Sequence, residues 1–335
     1  MRRRLDVFIL GRGRVGGCLA RQIAAARGRL ARAGGVAIAV AGTAGRSGGE
    51  RLVERALRAR GARLLVDATA ADGMAAVHAR ALAAGVSVVT CNKKPLGGPQ
   101  GDWDLIERAA RRSGAMALRE VTVGAGLPII RTLRDLRDTG DTIESVEGCV
   151  SGTLNFLCAA LERGRPFSAA LREARRLGYT EPDPRDDLAG GDAAHKVIIL
   201  ARTIGWRVAP AAIRLRPFVR CDRRAATAEF LAGAAALDAP LARRFAAAAR
   251  RGRRLRYVAR VAAGARVTVG LRAVPAGGPL GRLAGPENVF VVRSRRYHRH
   301  PLVVAGPGAG PEVTAAGALA DILEVARALG PGRAR

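Results

Sequence analysis

The sequence predicts an α/β fold built on a doubly wound parallel sheet, and three observations carry that prediction. Short apolar runs of strand length alternate with longer stretches of helix composition. The first such run opens directly into a glycine-rich turn. The chain has 335 residues, more than one core ordinarily organises, so a second packed unit is expected beside the first.

Leu5 to Leu10 (LDVFIL) is apolar throughout, as expected of a strand covered on both faces. It flows into GRGRVGG, where Gly11, Gly13 and Gly16 form G-x-G-x-x-G. Cys18 to Leu30, rich in Ala, Leu and Arg, suits a helix, and Val36 to Val40 a second strand. Strand, glycine turn, helix, strand is the context in which this motif binds a dinucleotide, because the glycines allow close backbone approach and the helix N-terminus faces the pyrophosphate. Gly11, Gly13, Arg14, Val15 and Gly16 are therefore candidate cofactor contacts. No acid closes the second strand to accept the ribose 2′-OH of NAD; the segment AGTAGRSGG offers Thr43, Arg46 and Ser47 instead. That set suits a 2′-phosphate, so NADP is the expected cofactor with NAD as the alternative, and Arg46 can equally be read as one more surface arginine.

The alternation continues with Arg63 to Ala68 as a strand, Gly73 to Ala84 as a helix, Val86 to Thr90 as a strand and Trp103 to Ser113 as a helix. Ligands of such sheets sit at the carboxyl ends of the strands, where Asp67-Ala68-Thr69 and Thr90 to Pro95 fall, so Lys93 points toward a bound nicotinamide. A further strand from Met116 runs into Glu120 and VGAGLPII, with Pro128 in the first turn of a helix. Gly148 to Leu157 reads as strand, small-residue turn and helix. Arg216 to Arg254 has helix composition, Tyr257 to Val274 alternates like strands, and Thr314 to Leu329 reads as a helix. A composition shift over Asp138 to Glu144 is the expected seam between two lobes.

Composition excludes several classes. With 49% hydrophobic and 25% charged residues the chain is globular and not disordered. No apolar run nears the ~20 residues of a membrane span, and Met1-Arg2-Arg3-Arg4 leads at once into a strand, so a cytoplasmic protein without a signal segment is expected. The five cysteines lack paired or metal-ligand spacing, which argues against disulfides and zinc. A net charge of +29 raises nucleic acid as a partner, but the basic residues are scattered and aromatics make up only 4%, so none is expected. Among 57 basic residues lysine stands only at Lys93, Lys94 and Lys196. Arginine stays protonated at any working pH, whereas lysine can exchange its proton when desolvated, so the surviving lysines are candidates for proton transfer.

Acids are scarce, yet Glu181, Asp183, Asp186 and Asp187 fall together in EPDPRDD, stiffened by Pro182 and Pro184. The segment is either a solvated turn or a rigid site for a cation such as a substrate ammonium or a metal. Downstream, Asp192 and Lys196 share one face at the start of a helix whose continuation, Val197 to Ala201, is apolar all round. An ordinary i,i+4 pair would look the same, but an ammonium withdrawn from water is better explained by function. His78, His195, His298 and His300 show no ligand spacing and receive no role.

These motifs together resemble the homoserine dehydrogenase family. The resemblance runs through GRGRVGG, VTCNKKPL, EVTVGAGLPII, GCVSGTLNFL, GYTEPDPRDDLAGGDAAHK and AGPGAGPEVTAAG, and is strongest to the dehydrogenase half of bifunctional aspartokinase–homoserine dehydrogenases. It implies interconversion of L-homoserine and L-aspartate 4-semialdehyde with NAD(P), a step toward threonine, methionine and isoleucine. It also implies that Lys196 is the general acid/base and Lys93 its partner at the reacting oxygen. Glu181 and Asp192 would bind the substrate, with Asp187 in support and Thr153 and Tyr179 around the amino acid. Cofactor contacts are implied at Thr69, Lys93, Gly178 and Gly310. A monovalent cation (Na+ or K+) site is implied at Glu120 and the carbonyls of Val123, Ala125 and Leu127. His195, Ala70, Ala71 and Cys91 depart from the family's usual residues. The expected organisation is a Rossmann-type dinucleotide-binding domain over 1–143, completed by 305–335, with an inserted α+β catalytic and dimerisation domain over 144–304, acting as a homodimer. Two other readings stand beside this one: a different Rossmann dehydrogenase of an amino-acid aldehyde or alcohol, and a basic nucleic-acid-binding protein.

Overall fold

The computed structural model describes residues 3–45 and 47–330, and Arg46 lies outside them. Contacts divide the chain into one unit running to Ile130 and resuming at Ala309, and a second spanning Arg131–Gly308.

The first unit begins with β1 (Arg3–Leu10), α1 (Arg14–Gly34), β2 (Val36–Ala44), α2 (Gly49–Arg58), β3 (Ala62–Asp67) and α3 (Met74–Ala83). β4 (Ser87–Thr90), α4 (Lys94–Gly97), α5 (Gln100–Ser113) and β5 (Ala117–Leu118) complete the sheet, whose order is β2-β1-β3-β4-β5 with every pair parallel. The apolar run of β1 is buried on both faces, Leu5, Val7 and Ile9 being fully covered. Leu19 and Ile23 of α1 close one side of that core. The chain leaves β1 toward β2, then crosses to β3 on the opposite side, which makes the carboxyl end of β1 the switch point of the sheet.

The second unit takes in α6 (Ile129–Asp138), which starts one residue after Pro128, then β6 (Ile143–Cys149), α7 (Gly152–Glu162), α8 (Phe167–Arg176), α9 (Pro184–Ala189) and α10 (Gly191–Thr203). β7 (Arg214–Leu215), α11 (Thr227–Gly233), α12 (Asp238–Ala249), β8 (Arg253–Ala262), β9 (Arg266–Pro275), β10 (Asn288–Ser294) and β11 (Leu302–Gly306) follow. Its sheet has the order β11-β10-β6-β8-β9-β7, antiparallel except for the β7–β9 pair. α7, α10 and α12 pack against β8. The middle of α10 is buried all round, with Val197, Ile199 and Ala201 fully covered.

The last helix, α13 (Pro311–Ala328), belongs to the first unit and lays Ala315, Ala318, Ile322 and Val325 into the same core as β1 and α1. The helix expected over Arg216 to Arg254 is broken. Residues 216–226 are irregular, because Pro217 lacks an amide proton and the buried Arg185 guanidinium holds the carbonyls of Asp222 (3.0 Å) and Ala225 (2.7 Å) in place of helical donors.

Candidate active site

The nucleotide end is formed by the turn between β1 and α1. Gly11 has φ +100°, and a β-carbon there would stand 2.5 Å from the Ala68 carbonyl oxygen. At Gly16 a β-carbon would stand 1.9 Å from the Gly11 carbonyl oxygen, so glycine lets helix and turn close on each other. Around Gly13 nothing lies within 4 Å of that position. Gly13 also begins α1 with no side-chain cap and no acid in the first turn, leaving the helix N-terminus suited to an anion. A cavity of about 680 Å³ opens over this turn and is walled by the ends of β1, β2 and β3. Arg14 and Val15 start α1, and Thr69 lines the cavity from the β3 side.

The loops after β3 and β4 are tied by a buried polar network. Asp67, fully covered, accepts from the Thr69 amide (3.0 Å) and hydroxyl (2.6 Å) through one oxygen, and its other oxygen lies 2.9 Å from Nε2 of buried His78. The Cys91 amide donates to the Asp67 carbonyl at 2.7 Å. Asn92 donates to the Ala71 carbonyl (2.8 Å) and accepts from the Lys94 amide (3.1 Å). Lys93, half-buried, sits between those anchors and begins α4. Lys94 instead points outward to Asp72 at 2.9 Å. Burial, aided by the charge of Asp67, pushes the Cys91 thiol up to about 12, so this departure from the family is a packing residue and not a nucleophile.

Glu120 is buried, and its Oε1 accepts from the Ile130 amide at 2.8 Å while its own amide donates to Asp321 of α13 at 3.0 Å. The following loop turns through Gly124 (φ +79°) and Ala125 (φ +53°), the latter a left-handed conformation that an alanine rarely takes. Val123, Ala125 and Leu127 thus lie in the turn that joins Glu120 to Ile130, the residue whose amide donates to its carboxylate. Gly310 begins α13 with φ +123°.

In the second unit the acids of EPDPRDD separate into two groups. Asp183 caps α9 and meets Arg185 at 2.7 Å, a contact that holds its carboxyl down to about 2. Asp186 pairs with Arg223. Asp187 turns the other way: one oxygen lies 2.9 Å from the Thr153 hydroxyl and the other accepts from the Glu181 amide at 2.8 Å. Burial, with the charges of Glu181 and Asp192 nearby, raises its pKa despite those donors. The Thr153 hydroxyl is also 2.5 Å from the Tyr179 carbonyl, while the Tyr179 ring packs edge-on to Phe156 at 5.3 Å and stays 42% exposed. Gly178 (φ +72°) makes the turn that brings Tyr179 there. Lys196, with a side chain only 11% exposed, places Nζ 2.6 Å from Asp192 and 2.7 Å from the Val150 carbonyl. His195, its neighbour, is exposed.

The structure thus gathers Glu181, Asp187, Asp192, Thr153, Tyr179 and Lys196 around α9 and α10 of one unit, and the glycine turn, Thr69, Lys93 and Glu120 in the other. In the sequence Asp67 and Asn92 stand out only as parts of strand-end segments and His78 has no role, so the network they form is missed there. A buried Asp–His pair split between a strand and the following helix leaves no spacing signature. Among the described residues no cluster of three or more His, Cys, Asp or Glu side chains forms a metal site, and no helix is long and apolar enough to cross a membrane.

Residues 11–120 match the family model described as homoserine dehydrogenase, NAD binding domain, and residues 128–323 that of homoserine dehydrogenase. The chain is 42% identical over 270 residues to a chloroplastic bifunctional aspartokinase/homoserine dehydrogenase 2 of Arabidopsis thaliana, covering 80% of this chain and 30% of that protein. Thus it spans under a third of the length of such bifunctional relatives. A homoserine dehydrogenase of Emericella nidulans is 38% identical over 278 residues, 79% of this chain and 76% of that one. Among solved structures, a hyperthermophilic archaeal homoserine dehydrogenase in complex with NADPH superposes with a TM-score of 0.75 at 26% identity, covering 96% of this chain and 97% of that one. A dinucleotide turn of the required geometry, a half-buried lysine paired with a carboxylate, and matches that run through both units lead to one conclusion: the chain belongs to the homoserine dehydrogenase family.

Proposed function

We propose that this chain interconverts L-homoserine and L-aspartate 4-semialdehyde, with Lys196 moving the proton at the reacting oxygen and NADP(H) as the preferred cofactor. When bound, the nicotinamide supplies or accepts the hydride. One observation carries the substrate reading: in a chain of net charge +29, Glu181, Asp187 and Asp192 lie close enough for their charges to act on one another, and Asp192 is paired with Lys196, a concentration of negative charge that a substrate ammonium would balance. Asp192 and the Val150 carbonyl orient the Lys196 ammonium, so that reduction ends with Nζ donating its proton to the alkoxide, and oxidation with the amine taking it back. Lys93 serves as its partner at that oxygen. Thr153 and Tyr179 shape the wall around the amino acid.

The bare first turn of α1 and the open space at Gly13 fit a pyrophosphate, with Arg14, Val15, Thr69, Gly178 and Gly310 as further contacts. The preference for NADP is supported by the neutral end of β2 and by the NADPH carried by the archaeal relative. Arg46 remains a candidate for the 2′-phosphate outside the described residues. Glu120 and the carbonyls of Val123, Ala125 and Leu127 fit a Na+ or K+ ion, since a buried carboxylate stands beside backbone held in a left-handed turn. A homodimer is the proposed assembly, and Val303 on edge strand β11 is exposed at 45%.

Following absorbance at the nicotinamide band while L-homoserine, other amino alcohols, NADP and NAD are varied tests the reading. Homoserine turnover faster with NADP than with NAD is expected; no homoserine turnover with either cofactor would overturn it.

A further inference from the structure

We propose that Arg12, the side chain between the first two motif glycines, grips the 2′-phosphate of the bound dinucleotide and makes the chain select the phosphorylated cofactor. The inference deepens the NADP reading and rests on it.

The position follows from two backbone facts. The Gly11 amide donates to the Ala44 carbonyl at 2.8 Å, which ties the glycine turn to the carboxyl end of β2, where the adenosine ribose of a dinucleotide lies. A β-carbon built on Gly45 would stand 3.8 Å from Arg12 Cδ, so the arginine stem runs across the residue that follows the strand. Arg12 and Gly45 both line the cavity of about 680 Å³, and Arg12 is exposed to it.

The surroundings leave the guanidinium suited to an anion. In NAD-selective sheets an acid at this point accepts the ribose hydroxyls and repels a phosphate. Here β2 ends VAGTA, followed by glycine. The acid that does line the cavity, Glu50, meets Arg80 of α3 at 2.5 Å, with Glu54 3.5 Å from the same arginine, so its charge is met from the α3 side. Gly48 (φ +91°) and Gly49 keep the entrance to α2 free of bulk. A planar guanidinium can hold two phosphate oxygens at once, and the 2′-phosphate exists only on the phosphorylated cofactor.

Isothermal titration calorimetry of the full chain with adenosine 2′,5′-bisphosphate and with 5′-AMP, for the wild type, Arg12→Ala and Arg12→Lys, tests this without turnover. Expected is tighter binding of the bisphosphate by the wild type, a loss on the order of 10–100-fold in Arg12→Ala with 5′-AMP binding unchanged, and partial retention in Arg12→Lys. If the wild type does not prefer the bisphosphate, the NADP reading fails and this inference with it. If the wild type prefers it and Arg12→Ala keeps that preference, the inference alone is overturned. Equal weakening of both ligands also overturns it, because Arg12 would then serve the turn and not the 2′-phosphate.

Discussion

Lys196 draws its chemistry from what holds it. A side chain 11% exposed and fixed between a carboxylate and a carbonyl is oriented for the directional proton transfer proposed for it. Arginine in its place would keep the charge but not the exchangeable proton. Lys196→Arg is expected to retain the fold by circular dichroism and lose about two to four orders of magnitude in turnover; near-normal rates would remove Lys196 from its role. The residue type was legible in the sequence, since lysine is nearly confined to positions 93, 94 and 196, and the structure gives Lys94 an ordinary surface partner in Asp72. Which acids of EPDPRDD pair with arginine and which turn toward Thr153 and the Glu181 amide was not legible, because spacing alone treats all four alike. Of the partners that divide them, Arg185 lies within the motif itself, whereas Arg223 reaches Asp186 only because the later segment folds back.

At the scale of elements, α9 shows how the acidic segment is held rigid. Asp183 caps it, and Arg185 reaches from its first turn to the carbonyls of residues 222 and 225 and to the Thr227 hydroxyl. Asp183→Ala is expected to cost about 1–3 kcal/mol in urea denaturation at neutral pH. Because the folded state lowers the Asp183 pKa, its contribution is present above the ordinary aspartate range and is lost as pH falls toward 2. The gap between wild type and variant should therefore narrow on acidification; a gap that persists would mean that the carboxylate charge is irrelevant. β1, its glycine turn and α1 were readable because strand burial, glycine geometry and helix composition agree. Over residues 216–226 they conflict: alanine and arginine favour a helix, and a proline with a distant guanidinium overrides them.

For the whole molecule, part of the arginine is used to brace backbone and not to meet a partner. Arg63 donates to the carbonyls of Leu57 and Ala59, both at 2.7 Å, and Arg256, 1% exposed, donates to those of Leu255, Gly281 and Leu283 and to Glu162. Such arginines work as five-donor struts for irregular backbone. The whole-chain arrangement also makes the first unit discontinuous. Ending the chain at Gly308 retains all five parallel strands yet uncovers Ile322's side of the core. The truncated chain is expected to lose protection of residues 3–130 in limited proteolysis; undiminished protection would show α13 to be dispensable.

That discontinuity gives the molecule an order of assembly. The ribosome delivers the segment ending at Ile130 first, but the helix that seals its core emerges only after Ala309, once the intervening 131–308 has already been made. During synthesis the nascent nucleotide domain stands open, with the β1 and α1 face awaiting its cover, while the later module can settle ahead of it. Cofactor capture thus becomes a late event, timed by the emergence of α13 and not by appearance of the glycine motif.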